Sequence, residues 1–128
     1  MRLAIEDAGL RTADIGHINA HGTSTLLNDR SEARAVDRCF GGQPPPLTAV
    51  KGVTGHLIGG SGALEAALAL LCAGRGLVPP IANLRASAES GLVDLVVGGP
   101  RTVPTAPVLS NSFGFGGQNA CLVLVPTG

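Results

Sequence analysis

The chain has 128 residues, about one domain with a core of its own, and 45% of them are apolar although only 2% are aromatic. Such a core is aliphatic and alanine-rich. Lys plus Arg and Asp plus Glu each number 9, so the formal charge is zero and nothing points to nucleic acid or an anionic membrane as partner.

Three cysteines in no paired spacing argue against a disulfide framework or a zinc knuckle, and a reducing, cytoplasmic setting is the simplest inference. Met1 to Asp7 turns acidic too early for a signal peptide. The longest apolar run, Gly62 to Ala73 interrupted by Glu65, is too short to span a bilayer.

Met1 to Gly9 reads as a helix with Leu3, Ala4 and Ala8 on one face and Gly9 at its C-terminal cap. The pattern begins without a capping residue ahead of it, as in a chain that starts inside a longer fold. A turn at Asp14-Ile15-Gly16 leads into a short strand, His17 to Ala20, which delivers His21 to its end. Three hydroxyl residues, Thr23-Ser24-Thr25, follow. A strand end leading into a polar loop is where α/β folds place their chemistry, although the same residues also suit an ordinary Ser/Thr turn.

Asn28 or Asp29 is expected to cap the next helix, with Glu32 completing a capping box. Ala33, Val36 and Phe40 form its buried stripe, and Gly41-Gly42 stops it. Leu47 to Val50 is then a strand that ends at Lys51, as the earlier one ends at His21. Two strands thus bring basic groups to one edge of a sheet.

Lys51 to Gly62 is dense in glycine and holds Lys51 and His56 five residues apart. Glycine lets a backbone or a ligand approach where a Cβ would clash, so this stretch reads either as a site or as a loop with incidental charges. Ala63 to Ala73 is a helix apolar on nearly all faces, expected to be central and sandwiched. Glu65 in its first turn is then costly unless it is paired or bound to a cation, or unless it occupies a wet edge and favours the helix N-terminus.

Leu92 to Val97, Val108 to Ser112 and Asn119 to Val125 are further strands, the last two joined through Phe113-Gly-Phe-Gly-Gly117. That glycine run precedes a strand, so it lacks the helix N-terminus of a phosphate-binding loop. The expected fold class is α/β, a mixed five-stranded sheet layered with a buried central helix. His21, Lys51 and His56 at one sheet edge make a donating pocket suited to an oxyanion or enolate. Cys39, Cys72 and Cys121 sit at a helix C-terminal end, inside an apolar helix and inside a strand. All three read as small core side chains, which leaves the pocket without a nucleophile of its own.

His21-Gly-Thr-Ser-Thr25, Lys51-x4-His56, and Asn111-Ser-Phe-Gly-Phe-Gly-Gly117 followed by Asn119 together resemble the carboxy-terminal half of a β-ketoacyl synthase, a condensing enzyme of the thiolase-like fold. The resemblance runs over nearly all of residues 1–128 as one domain and implies fatty-acid or polyketide synthesis. It implies that His21 and His56 promote malonyl decarboxylation, and that Lys51 belongs to the same site with Glu32 as its buried acidic partner. By the same resemblance Thr23 and Thr25 bind the phosphopantetheine arm, and Phe113 and Phe115 form a gate. Asn19, Glu65, Ser110 and Asn111 match positions around a structural monovalent cation. No other cofactor is implied, since phosphopantetheine arrives on the acyl carrier protein.

The implied partners are the acyl carrier protein, an amino-terminal ketosynthase half carrying the cysteine nucleophile, and a homo- or heterodimer mate. Leu26-Leu27 departs from the family's usual proline after Thr25. Two other readings are a non-catalytic partner resembling a chain-length factor, and an inactive truncated fragment.

Overall fold

A computed structural model describes residues 1–127. Its centre is β1 (His17–Asn19), every residue of which is buried. β1 is paired in parallel with β2 (Leu47–Thr48) on one side and β5 (Val108–Phe113) on the other. β6 (Asn119–Leu124) runs antiparallel to β5 and forms the edge, giving the order β2-β1-β5-β6. In this register Asn19 lies beside both Thr48 and Ser110.

Successive strand side chains alternate between faces, and that alternation sorts the core. Ile18, Ala20, Leu47 and Leu109 pack with Ala33, Val36 and Phe40 of α2 (Leu26–Phe40). On the other face Val108 packs with Ala69 and Ala73 of α4 (Ser61–Arg75). The sheet is thus a layer between two helices, the α/β layering that the strand and helix order predicts.

Several local expectations change. α1 (Arg2–Asp7) buries Ile5, whereas Leu3 is 77% exposed, so the apolar face lies elsewhere than on Leu3, Ala4 and Ala8. Gly9 does end it: at φ +68° it donates to Glu6 O, and Leu10 N–H reaches back to Ile5 O. α2 starts at Leu26 with Thr25 as its cap, so Asn28 and Asp29 lie inside the first turn and no capping box forms at Glu32. The stripe Ala33, Val36, Phe40 is buried as expected.

The sheet has four strands and not five. Leu92 to Val97 contributes a single parallel bridge between Leu95 and Leu47. Leu47 N–H donates to Asp94 O and Val96 N–H to Leu47 O, but the Val96 carbonyl accepts from Ile81 N–H instead, and the pairing goes no further. A separate two-stranded ribbon joins β3 (Leu77–Val78) to β4 (Arg101–Thr102). α4 buries one face only, through Ser61, Glu65, Ala69 and Ala73, while Leu71 on its outer side is 52% exposed. Among the described residues no helix is long and apolar enough to cross a membrane.

His17 shares the α4 face of β1 with Asn19 and is buried with no partner for Nε2. Burial disfavours its charged form and pushes its pKa down to about 4. The unfolded chain therefore takes up a proton near pH 6.5 that the folded chain refuses until about pH 4. Stability from this residue is complete above pH 6.5 and falls as pH drops through that window, by about 3 kcal/mol in all. Thermal melts at pH 7 and pH 4.5 should show a loss that His17→Phe removes in part; an unchanged pH dependence in His17→Phe would assign the loss to other groups.

Candidate active site

The chain leaves β1 at Ala20, and the next residue, His21, stays 8% exposed at the strand's end. Gly22 then turns with φ +46°, and a Cβ there would lie 2.6 Å from Ala49 Cβ, so the turn that aims His21 accepts only glycine. β2 ends one register away and passes through Val50 into α3 (Lys51–Thr54), whose first residue enters the same space. Lys51 Nζ lies 2.5 Å from His21 O, 3.4 Å from His21 Nδ1 and 2.5 Å from Glu65 Oε1. The ammonium thus donates to the His21 carbonyl and faces its ring, while its charge lies against the Glu65 carboxylate, with the side chain almost fully buried.

Glu65 comes from the inner face of α4. Its oxygens have no aligned hydrogen-bond donor among the described residues, so the Lys51 charge is what balances it. The carboxylate that stood out in an apolar helix is therefore a buried ion-pair partner and not a wet-edge residue.

Glu32 does something different from what the resemblance implies. It does not pair with Lys51. Its carboxylate accepts from the backbone N–H of His21 at 2.9 Å, from Gly22 at 3.0 Å, and from Asn111 Nδ2 at 3.0 Å. It ties the His21 loop to α2 and β5, and the acid facing Lys51 is Glu65.

The two imidazoles meet edge to face, with ring centroids 5.6 Å apart and planes at 86°. His56 Nδ1 accepts the Ile58 N–H at 3.1 Å and lies 3.1 Å from Ser61 Oγ, so in the neutral ring the proton sits on Nε2. His21 Nδ1 faces the Lys51 ammonium, which fixes the same tautomer. Its pKa is lowered, first by burial and then by the nearby Lys51 charge. Both rings are left with Nε2–H as the donor. His21, Lys51 and His56 thus form one cluster, as their positions at strand ends and in the glycine-rich stretch predict.

Phe113 lies against that cluster, 6.0 Å from the His21 ring, whereas Phe115 is wholly exposed at the tip of the β5–β6 turn. Gly116 and Gly117 take φ of +74° and +78° there, which is why glycine follows Phe115. Thr23 and Thr25 share a hydrogen bond at 3.0 Å beside His21 and at the cap of α2. Cys39 and Cys72 lie elsewhere, on α2 and α4, and burial pushes both thiols up.

Asn19 donates to Ser110 Oγ at 3.3 Å, both buried, while Asn111 Oδ1 and both Glu65 oxygens lack hydrogen-bond partners. One carboxylate and neutral amide and hydroxyl oxygens, buried and under-satisfied, are the donor chemistry of a hard cation. Asn19, Ser110 and Glu65, which share the α4 face, fit that group; Asn111, next to Ser110 on β5, turns its side chain to the α2 face, where Nδ2 donates to Glu32. The orphaned Glu65 oxygens are the sign that sequence reading has no access to.

A sheet layered between α2 and α4, with two imidazoles and an ammonium at its edge, is the carboxy-terminal half of a thiolase-like fold. The chain belongs to the β-ketoacyl synthase family, through its C-terminal domain, which matches residues 1–85. It is 40% identical over 126 residues to 3-oxoacyl-[acyl-carrier-protein] synthase 2 of Coxiella burnetii, covering 97% of this chain and 30% of that one. A β-ketoacyl synthase from Burkholderia phymatum superposes with a TM-score of 0.92 at 36% identity, over 100% of this chain and 31% of that one. The ishigamide ketosynthase/chain length factor gives a TM-score of 0.90 at 37% identity, over 99% and 32%. The chain therefore spans about 30% of the length of the curated relatives it matches.

Proposed function

We propose that the chain supplies the decarboxylation side of a decarboxylative Claisen condensation, as part of a complete 3-oxoacyl-carrier-protein synthase. The observation that carries this is the paired tautomer: both Nδ1 atoms are engaged, so both rings offer Nε2–H donors from adjacent positions. When a malonyl thioester loses carbon dioxide, the C–C bond breaks and its electron pair becomes an enolate. Two neutral N–H donors at the thioester oxygen stabilise that charge more than they stabilise the uncharged ground state. The enolate carbon then attacks an acyl thioester; a C–C bond forms, the C–S bond breaks, and a thiolate leaves.

That acyl thioester requires a cysteine from the amino-terminal half, because the thiols of this chain are partly buried away from the cluster. Lys51 holds His21 neutral and fixes its backbone; Glu32 positions the same loop. Thr23 and Thr25 bind the phosphopantetheine arm of a carrier protein, and Phe113 and Phe115 flank its passage. Asn19, Glu65 and Ser110 would hold a monovalent cation on the α4 face, whose charge would steady the buried carboxylate; the Asn111 side chain, expected among the ligands, faces α2 and lies outside that set. The working form is a homo- or heterodimer in the cytoplasm. A chain-length-factor role fits less well, since such a partner has no use for both histidines.

In an enzyme joined to its amino-terminal half, His56→Ala should slow malonyl decarboxylation by about 10²–10³-fold while cysteine acylation persists. Radiolabelled carbon dioxide release and acyl-enzyme mass measure the two steps separately. Equal loss of both would remove His56 from the decarboxylation step.

A further inference from the structure

A cavity of about 560 Å³ lies behind the His21 loop, between α2, β2 and the segment of residues 81–89, outside the histidine cluster. Its size is within the roughly 300–1,000 Å³ of small-molecule sites. Its floor is apolar: Ala33 of α2, Leu47 and Ala49 around β2, and Val93. The void persists for a structural reason. Asn83 Nδ2 donates to Gly52 O at 3.1 Å, and a Cβ on Gly52 would lie 2.6 Å from Ala82 O. This contact props the 81–89 segment at a fixed height, while alanines on the facing elements are too short to fill the space beneath it.

We propose that this cavity is a second ligand site, taking an aliphatic chain with a cationic head. The floor demands an apolar body, since nothing in it can hydrogen-bond a polar one. The mouth selects the head: Asp29 and Glu89 outnumber Arg85, and each has one carboxylate oxygen engaged, by Asn28 Nδ2 and Ser87 Oγ, leaving the other for a cation. Glu32 also borders the cavity, but its oxygens are already taken by the His21 and Gly22 N–H groups. An occupant therefore presses on the two residues that aim His21, Glu32 and Gly22, without entering the site where His21 works. This inference stands on the cavity alone and is independent of the condensing role.

The test uses the 128-residue chain with octylamine, octanol and octanoate as probes, read by saturation-transfer NMR, which tolerates self-association of the protein. Octylamine is expected to bind about tenfold tighter than octanoate, with octanol between them. Ala33→Phe fills the floor and should abolish binding of all three. Glu89→Gln, at the half-buried mouth and remote from the core, should weaken octylamine alone by about threefold. Octanoate binding as tightly as octylamine, or Ala33→Phe or Glu89→Gln leaving octylamine unchanged, would overturn the proposal. Circular dichroism of both variants separates a filled cavity from a lost fold. If Ala33→Phe unfolds, Glu89→Gln and the probe order decide it.

Discussion

Glu65→Ala is expected to destabilise the fold by about 3–5 kcal/mol, because it strands the Lys51 ammonium in a buried site. For a chain of this length that is a fall in melting temperature on the order of 10–20 °C. Only His21 O and His21 Nδ1 would remain beside the ammonium, and neither carries a full negative charge. The ammonium would then turn toward solvent and release the His21 carbonyl. Loss of stability and loss of His21 geometry should therefore travel together.

The double variant Lys51→Met with Glu65→Leu discriminates between a costly stranded charge and a simple loss of packing. Removing both charges eliminates the desolvation cost as well as the attraction, and such replacements are often neutral or stabilising. The double variant should recover most of the melting temperature while leaving decarboxylation impaired, since His21 has lost its fixed neighbour. A double variant as unstable as Glu65→Ala would mean that shape, not charge, governs this layer. An unchanged melting temperature in Glu65→Ala would mean that water already reaches the pair.

The same pair shows how far the sequence could be read. Glu65 was conspicuous because a carboxylate in an apolar helix violates the helix's own pattern, and such violations mark sites. His21 and Lys51 are legible because each follows a short strand, and strand ends in parallel sheets converge. Glu32 reads as a capping-box residue because its spacing from Asp29 satisfies one locally, and as a Lys51 partner only through the resemblance. Its real bonds, to the His21 and Gly22 N–H groups, come from a loop ten residues upstream and leave no local trace.

The missing fifth strand has a similar cause. Leu92 to Val97 alternates well enough for a strand, but the division of the Val96 backbone between Leu47, which accepts its N–H, and Ile81, which donates to its carbonyl, is a tertiary matter. Leu77–Val78 and Arg101–Thr102 are too short to make any period visible. In α1, six residues are too few to distinguish a face on Leu3 from one on Ile5.

Expressed alone, the chain is expected to self-associate and to show no condensation. α4 buries only its sheet-facing side, and Leu71 stays exposed on the other. β6 is an edge strand with unpaired backbone groups, and it exposes Leu122 at 50%. Leu57 and Ile58 add apolar surface beside His56. An open strand edge and exposed apolar helix surface are templates for association. Condensation is expected to fail for a separate reason: Cys39, Cys72 and Cys121 sit on α2, α4 and β6 rather than at the histidine cluster, and burial pushes the Cys39 and Cys72 thiols toward the protonated form, a poor nucleophile. Light scattering should give a mass above that of one chain, and product analysis with acyl- and malonyl-carrier proteins should find no 3-oxoacyl product. Co-expression with an amino-terminal ketosynthase half should cover α4, lower the apparent mass to a defined assembly and restore turnover. A monodisperse monomer would show that the outer face of α4 tolerates water. Condensation by the lone chain would make Cys39, Cys72 or Cys121 a working nucleophile, and single serine substitutions would identify which.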